Sequence, residues 1–222
     1  MPTLYLVRHG QASFGADNYD QLSDLGQRQS VLLGECFARL GLQFEAAYTG
    51  TLERHAQTLA GIVQGLAVTP PVTALPGLNE YESHAVIATV HAEPLPKPRN
   101  AEHVRQHFRL LRDGLNAWAE GRVAPAGMPT HADFVAGVGE ALERISAQHR
   151  GDVLLVSSGG PIATAVAHVL GAPASTAIEL NLRIRNSGVT EFAYTSKGHR
   201  LVAFNHLPHL PLPDCAAMVT YA

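Results

Sequence analysis

Short apolar runs and longer stretches with helical spacing take turns along this chain. Thr3 to Val7 is apolar on both faces, as an interior strand of a parallel sheet must be. Ser23 caps a helix that runs to about Leu40 and stops at Gly41. Ala46 to Thr49 reads as a second strand, and Thr51 opens a helix that ends near Gly65. Val72 to Leu75 adds a short strand, followed by the loop PGLNEYES. The proline-rich EPLPKPRN, residues 93–100, reads as an exposed excursion before a helix from about Ala101 to Glu120. Thr130 with Asp133 has the form of a capping box, and Phe134, Val138, Leu142 and Ile145 follow at helical spacing. Asp152 to Ser157 is a strand, and Pro161 sits where a first helical residue belongs. SGVTEFAY and RLVAF, on either side of SKG, predict a β-hairpin.

Regular βα alternation predicts an α/β protein: a single three-layer α/β/α sandwich over residues 1–222, with a mostly parallel central sheet. In such sheets ligands collect at the carboxyl ends of the strands. Two stretches of polar and glycine residues fall there, RHG at 8–10 and SSGG at 157–160, so one cleft is expected to hold both.

Composition narrows the class. The 222 residues are 46% hydrophobic and 16% charged, enough for one sizeable core. A formal net charge of −3 argues against nucleic acid or an anionic membrane as partner. Cys36 and Cys215 have neither metal nor redox spacing, so a reducing cytoplasm is the expected location and Cys36 is read as a small buried hydrophobe. The N-terminus has no signal-peptide pattern. The long uncharged stretch 153–170 is broken by SSGGP, so it reads as strand, turn and helix rather than a membrane span. A homodimer is left open.

The chemistry starts at RHG. A neutral imidazole with one free nitrogen can attack phosphorus and carry the phosphoryl group, provided an acceptor holds its other nitrogen. The adjacent guanidinium offers a planar fork that fits phosphate oxygens, and Gly10 allows close approach. Taken alone, the tripeptide is equally compatible with a structural loop.

Three further runs, LSDLGQRQS (22–30), TLERHAQTL (51–59) and LNEYE (78–82), with RHG before them, resemble the histidine phosphatase, or phosphoglycerate-mutase-like, superfamily. The resemblance spans nearly the whole chain in order, with RHG and L-S-x-x-G-x-x-Q its most specific parts, and points to a bacterial-type subgroup with RHGQASFG. It implies that His9 is the phosphorylated nucleophile and that Arg8 and Arg54 bind phosphate. Arg54 comes from a segment that resembles the family's S-x-x-x-R-A-x-x-T helix, and Glu80 takes the part of general acid. Glu80 is preferred to Glu82 because L-N-E fits the pattern; its role requires a raised pKa, which burial can supply. Gln11, Ser13 and Ser23 are placed around the phosphate.

One position departs from the pattern. Where the family has V-x-H-G-G, this chain has Val156, Ser157, Ser158, Gly159, Gly160, so Ser158 stands in place of the second histidine. A hydroxyl can still donate, and the amides of Gly159 and Gly160 before Pro161 are expected to form an anion-binding helix start. A neutral donor is weaker than a charged one, so the change bears on rate more than on fold or phosphate binding. Among the 12 histidines, His55, His84 and His131 are candidates to reach in.

The expected function is a metal-independent and cofactor-free phosphatase for a small phosphomonoester, with a mutase or a phosphate-ester binder as alternatives. The run QASFG after RHG and the compact chain favour a phosphatase over a mutase. A Ser158 nucleophile on a hydrolase-type elbow is disfavoured, because Val156 takes the first glycine position and Glu179 or Glu191 with His206 or His209 lack a supporting motif. His103 and His107 are four apart on a helix, but without further context they read as a solvated face, and Trp118 reads as helix packing.

Overall fold

A computed structural model gives the architecture and describes every residue except 14–19, 94, 96–99, 212 and 222. Six strands form one sheet: β1 (Thr3–Arg8), β2 (Phe44–Thr49), β3 (Val72–Ala74), β4 (Asp152–Ser157), β5 (Val189–Thr195) and β6 (Gly198–His206). Their order is β3-β2-β4-β1-β5-β6. The first four are parallel to one another, while β5 and β6 form the expected hairpin and join antiparallel to β1. The helices are α1 (Asp24–Arg39), α2 (Glu53–Leu66), α3 (Ser83–Ala88), α4 (Ala101–Ala119), α5 (His131–Gln148), α6 (Gly159–Leu170) and α7 (Ala174–Asn181). This is the mostly parallel α/β sandwich that the alternation predicts.

Alternation along β4 shows why two layers of helices are needed. Val153 and Leu155 pack into one core with Ile145 of α5 and Ile162 of α6, while Leu154 and Val156 join Leu33 and Phe37 of α1 and Ile62 of α2 on the other face. Successive side chains of a strand point to opposite faces, so a strand apolar throughout must be covered on both. A third cluster, with Val86, Leu111, Leu115 and Trp118, ties α3 and α4 beside the site.

Local signals held at some ends and not at others. Ser23 Oγ accepts from Gly26 N–H at 3.1 Å, and Gly41 takes the left-handed conformation (φ 70°) just past α1. Thr130 Oγ1 accepts from Asp133 N–H and donates to the Asp133 carboxylate. By contrast α2 begins at Glu53 with Leu52 before it, not at Thr51, because Thr51 is engaged by Asn79 on both its N–H and its hydroxyl. Helix α6 begins at Gly159, two residues before Pro161. The loop read at 76–83 is a short 3₁₀ turn, Pro76–Leu78, and then runs into α3. Most of the proline-rich excursion lies outside the described residues. The uncharged stretch 153–170 is divided between β4 and α6, and no described helix is long and apolar enough to cross a membrane.

Candidate active site

All four parallel strands deliver to the same edge. His9 follows β1 directly, Gly50 and α2 follow β2, the segment with Glu80 follows β3, and Ser158 follows β4. Register fixes the two middle strands: Arg8 pairs with Ser157, and His9 N–H donates to the Ser157 carbonyl at 2.8 Å. Ser157 Oγ in turn donates to the Leu78 carbonyl at 2.6 Å, anchoring the turn that carries Glu80.

His9 is buried, and its Nδ1 lies 2.7 Å from the Gly10 carbonyl. A carbonyl oxygen only accepts, so Nδ1 carries the proton and Nε2 keeps its lone pair. Burial holds the imidazole pKa well below its ordinary value, helped by the charges of Arg8 and Arg54 and by His55. The group is therefore held neutral with its Nε2 lone pair unprotonated, the form a nucleophilic imidazole requires. Gly10 itself sits against α1: a Cβ there would strike the Gly26 carbonyl, and one on Gly26 would strike the Gln11 backbone. Gly10 N–H donates to Thr58 Oγ1 at 3.0 Å, and Thr58 Oγ1 donates to the Arg54 carbonyl at 2.7 Å. One threonine thus fixes the loop after β1 against the helix that carries Arg54.

Both guanidinium groups lie close enough to lower the pKa values of His9 and Glu80 alike. Arg54, in the first turn of α2 and buried, is paired with Asp20 at 2.7 Å. Arg8 donates to the carbonyls of Ile184 and Tyr221. Glu80 as a residue keeps some exposure, but its carboxyl lies under the start of α6. Gly160 N–H donates to Oε2 at 3.1 Å, and a side chain at Gly160 would collide with the Glu80 carboxyl and the Tyr81 ring. Desolvation raises the Glu80 pKa, against the lowering effects of Gly160 N–H and the two arginines. That is the direction a general acid requires.

The remaining predicted positions divide. Ser158 is fully buried, makes no cap bond, and pairs instead with His55: Oγ and Nε2 are 2.7 Å apart. Gly159 stands beside Asn181, whose Oδ1 takes the place a Cβ would fill. Gln11 N–H donates to Gln29 Oε1 at 2.8 Å, and its Oε1 accepts from Ser23 Oγ at 2.9 Å; Ser23 also serves as the α1 cap. Ser13 N–H is tied to the Gln21 carbonyl, in a short pairing of Ala12 with Leu22.

Of the three candidate histidines only His55 reaches the centre. His84 is exposed, and His131 packs edge-on against Trp118 with ring centroids 5.0 Å apart. His206 pairs with Glu191 and His209 with Ser187, so neither serves Ser158. Trp118 is core, its Nε1–H donating to the Pro129 carbonyl. Sequence reading missed Asn186, which is buried and whose Nδ2 donates to the His9 carbonyl. It gave no role to Gln29, the last residue of the L-S-x-x-G-x-x-Q run, which is buried and also donates to the Met218 carbonyl and Thr220 Oγ1. Both act across more than 170 residues of chain, so the local run at 22–29 does not reveal what Gln29 holds, and no local pattern marks Asn186. Among the described residues no three His, Cys, Asp or Glu side chains cluster as a metal site.

Comparison with known proteins shows where the chain's sequence and fold recur. A family model described as histidine phosphatase superfamily (branch 1) matches residues 4–207. A 2,3-bisphosphoglycerate-dependent phosphoglycerate mutase of Bartonella bacilliformis is 32% identical over 71 residues, which is 29% of this chain and 34% of that protein; the chain thus matches about a third of its length. Among solved structures, a mycobacterial glucosyl-3-phosphoglycerate phosphatase is similar over 92% of this chain and 99% of its own (21% identity, TM-score 0.63). The α-ribazole phosphatase of Shigella flexneri is similar over 92% and 96% (21% identity, TM-score 0.66). A phosphoserine phosphatase of Entamoeba histolytica is similar over 95% and 100% (17% identity, TM-score 0.66).

Proposed function

The chain belongs to the histidine phosphatase superfamily, and from that premise we propose that it hydrolyses a small phosphomonoester through a phosphohistidine on His9. One observation carries the reading. The Gly10 carbonyl accepts a hydrogen bond from His9 Nδ1–H, leaving Nε2 with its lone pair within the field of two arginines and one protonatable carboxyl.

Arg8 and Arg54 neutralise the phosphoryl oxygens, and His9 Nε2 attacks phosphorus in line. As the N–P bond forms, the P–O bond to the leaving group breaks, and Glu80 gives its proton to the departing oxygen. Water then attacks the phosphohistidine, Glu80 takes a proton from it, and the P–N bond breaks to release phosphate and restore His9. In this reading the Ser158 hydroxyl, at the end of β4 and the start of α6, donates to the developing charge. Atoms and charge balance with no further reactant, so turnover is expected in the presence of EDTA. The names of the three solved relatives, all phosphatases, support hydrolysis over group transfer to a second hydroxyl.

A panel of phosphorylated metabolites, assayed for released phosphate with EDTA present, tests substrate class and metal independence together. Release from at least one ester, lost in His9→Ala, is expected. Release that survives in His9→Ala, or that stops with EDTA, refutes the mechanism.

A further inference from the structure

His55 occupies a place that nothing in the four-residue mechanism uses. It is fully buried in the first turn of α2, where a side chain leans back toward the helix start and so toward the ends of β2 and β4. Its Nε2 meets Ser158 Oγ at 2.7 Å, and its ring centroid lies 5.8 Å from that of His9, tilted by 36°. Its Nδ1 has no hydrogen-bond partner among the described residues. Room for the ring comes from Gly50, where any Cβ would strike His55 Nδ1 and lie 2.6 Å from Asn79 Oδ1. Against the S-x-x-x-R-A-x-x-T pattern that the Arg54 segment resembles, position 50 is Gly and position 55 is His. Together with Ser158 these are three departures from the pattern, and His55 stands against both of the others.

The hydrogen-bond inventory sets the direction of the pair. Burial and the charge of Arg54 keep His55 neutral, with its pKa lowered to about 3, so it carries a single N–H. Placing that proton on the unpartnered Nδ1 would bury an unsatisfied donor; placing it on Nε2 satisfies it with Ser158 Oγ. Ser158 then has its own proton to give, and a hydroxyl that already accepts a hydrogen bond is a stronger donor than one that does not.

We propose, on the basis of the phosphatase reading above, that His55 and Ser158 work as one unit: His55 Nε2–H donates to Ser158 Oγ, and Ser158 Oγ–H donates to a non-bridging phosphoryl oxygen opposite His9. The imidazole that aids the transition state comes from α2 and acts through the serine, instead of standing on the β4–α6 turn. Ser158 touches the phosphoryl group, and His55 is its positioning residue. No bond to phosphorus forms at Ser158.

The test uses His55→Leu, His55→Gln, Ser158→Ala, the double variant His55→Leu/Ser158→Ala, and the exchange His55→Ala/Ser158→His, with p-nitrophenyl phosphate for turnover. Binding of vanadate, which mimics the five-coordinate transition state, is compared with binding of inorganic phosphate by calorimetry, and thermal unfolding checks the fold. His55→Leu and Ser158→Ala should each lower kcat about 100-fold, the order found when one transition-state donor is removed, with KM changed less than about three-fold. The double variant should fall no further than the worse single one, since the two groups act as a unit. His55→Gln, which keeps an N–H near the Nε2 position, should recover most of the rate, as should the exchange variant. Vanadate affinity should fall with kcat while phosphate affinity holds. Wild-type kcat and vanadate affinity in Ser158→Ala or His55→Leu would overturn the proposal, as would losses that multiply in the double variant or a phosphoserine at 158. If the wild-type protein turns over no phosphomonoester, the phosphatase reading fails. The vanadate comparison still decides the pair: weaker binding in His55→Leu and Ser158→Ala supports it, and unchanged binding rejects it. Should His55→Leu not fold, Ser158→Ala and His55→Gln give the same decision.

Discussion

Acidification should unfold this protein through imidazoles that are buried uncharged. His55 and His209 are both nearly inaccessible, and both have their pKa lowered to about 3 from the ordinary 6.5, chiefly by burial and further by a neighbouring cation-forming group, Arg54 for the first and His206 for the second. Between those values the unfolded chain binds a proton that the folded chain refuses, so stability is complete above pH 6.5 and falls as pH drops toward 3. At pH 5 the gap is about 1.5 pH units, which at ~1.4 kcal/mol per unit is about 2 kcal/mol for each group, or about 4 kcal/mol for the pair. His9 adds to the loss, its pKa being lowered as well; Glu80 opposes it, because its raised pKa makes the folded state the better proton binder above 4.5. Urea unfolding at pH 7.5 and at pH 5.0, followed by circular dichroism, measures the difference. His55→Leu should reduce the pH-dependent loss by about 2 kcal/mol. Equal stability at the two pH values, or a His55→Leu variant with the full wild-type dependence, would show that these rings do not stay neutral inside the fold.

Two further outcomes follow from the site. Activity needs His9 neutral and Glu80 protonated, so kcat/KM should fall as pH drops through the lowered His9 pKa and as it rises through the raised Glu80 pKa. Glu80→Gln should abolish the alkaline limb and slow an alkyl phosphate by about 100-fold or more; a surviving alkaline limb would assign it elsewhere. The Asp20 carboxylate takes up Arg54 at 2.7 Å while itself partly exposed, so Asp20→Asn should tighten inorganic phosphate binding about two- to five-fold, the worth of a screened surface pair. Weaker binding in that variant would mean that Asp20 orients Arg54 instead of competing for it.

How much of this was legible depended on how locally each feature is encoded. The β1 and β4 strands were readable because burial on both faces demands an unbroken apolar run, and α1 because Ser23 and Gly41 mark its ends. Helices α3 and α7 were not, being six and eight residues long and entered through Glu82 and Pro173 without a side-chain cap bond. Thr51 looked like a cap but spends both its polar groups on Asn79, and that partner, 28 residues away, leaves no local trace. The site divides in the same way. Arg8, His9 and Glu80 stand in contiguous patterns at strand or turn ends, so the sequence could bring them forward as candidates, and the fold gathers them at one strand edge. His55 stood equal with His84 and His131 until the fold brought it to Ser158, 103 residues along the chain. Why position 50 is glycine was invisible for the same reason, since the ring it accommodates is placed there by the first turn of α2.

The central claim is that the phosphoryl group is transferred to Nε2 of His9. Brief incubation with p-nitrophenyl phosphate, an alkaline quench and peptide mass spectrometry test it directly. Phosphate on His9, stable to base, lost in acid and absent from a folded His9→Ala variant, is the predicted result. Continued turnover with no label at residue 9, or with label at Ser158 instead, would contradict it.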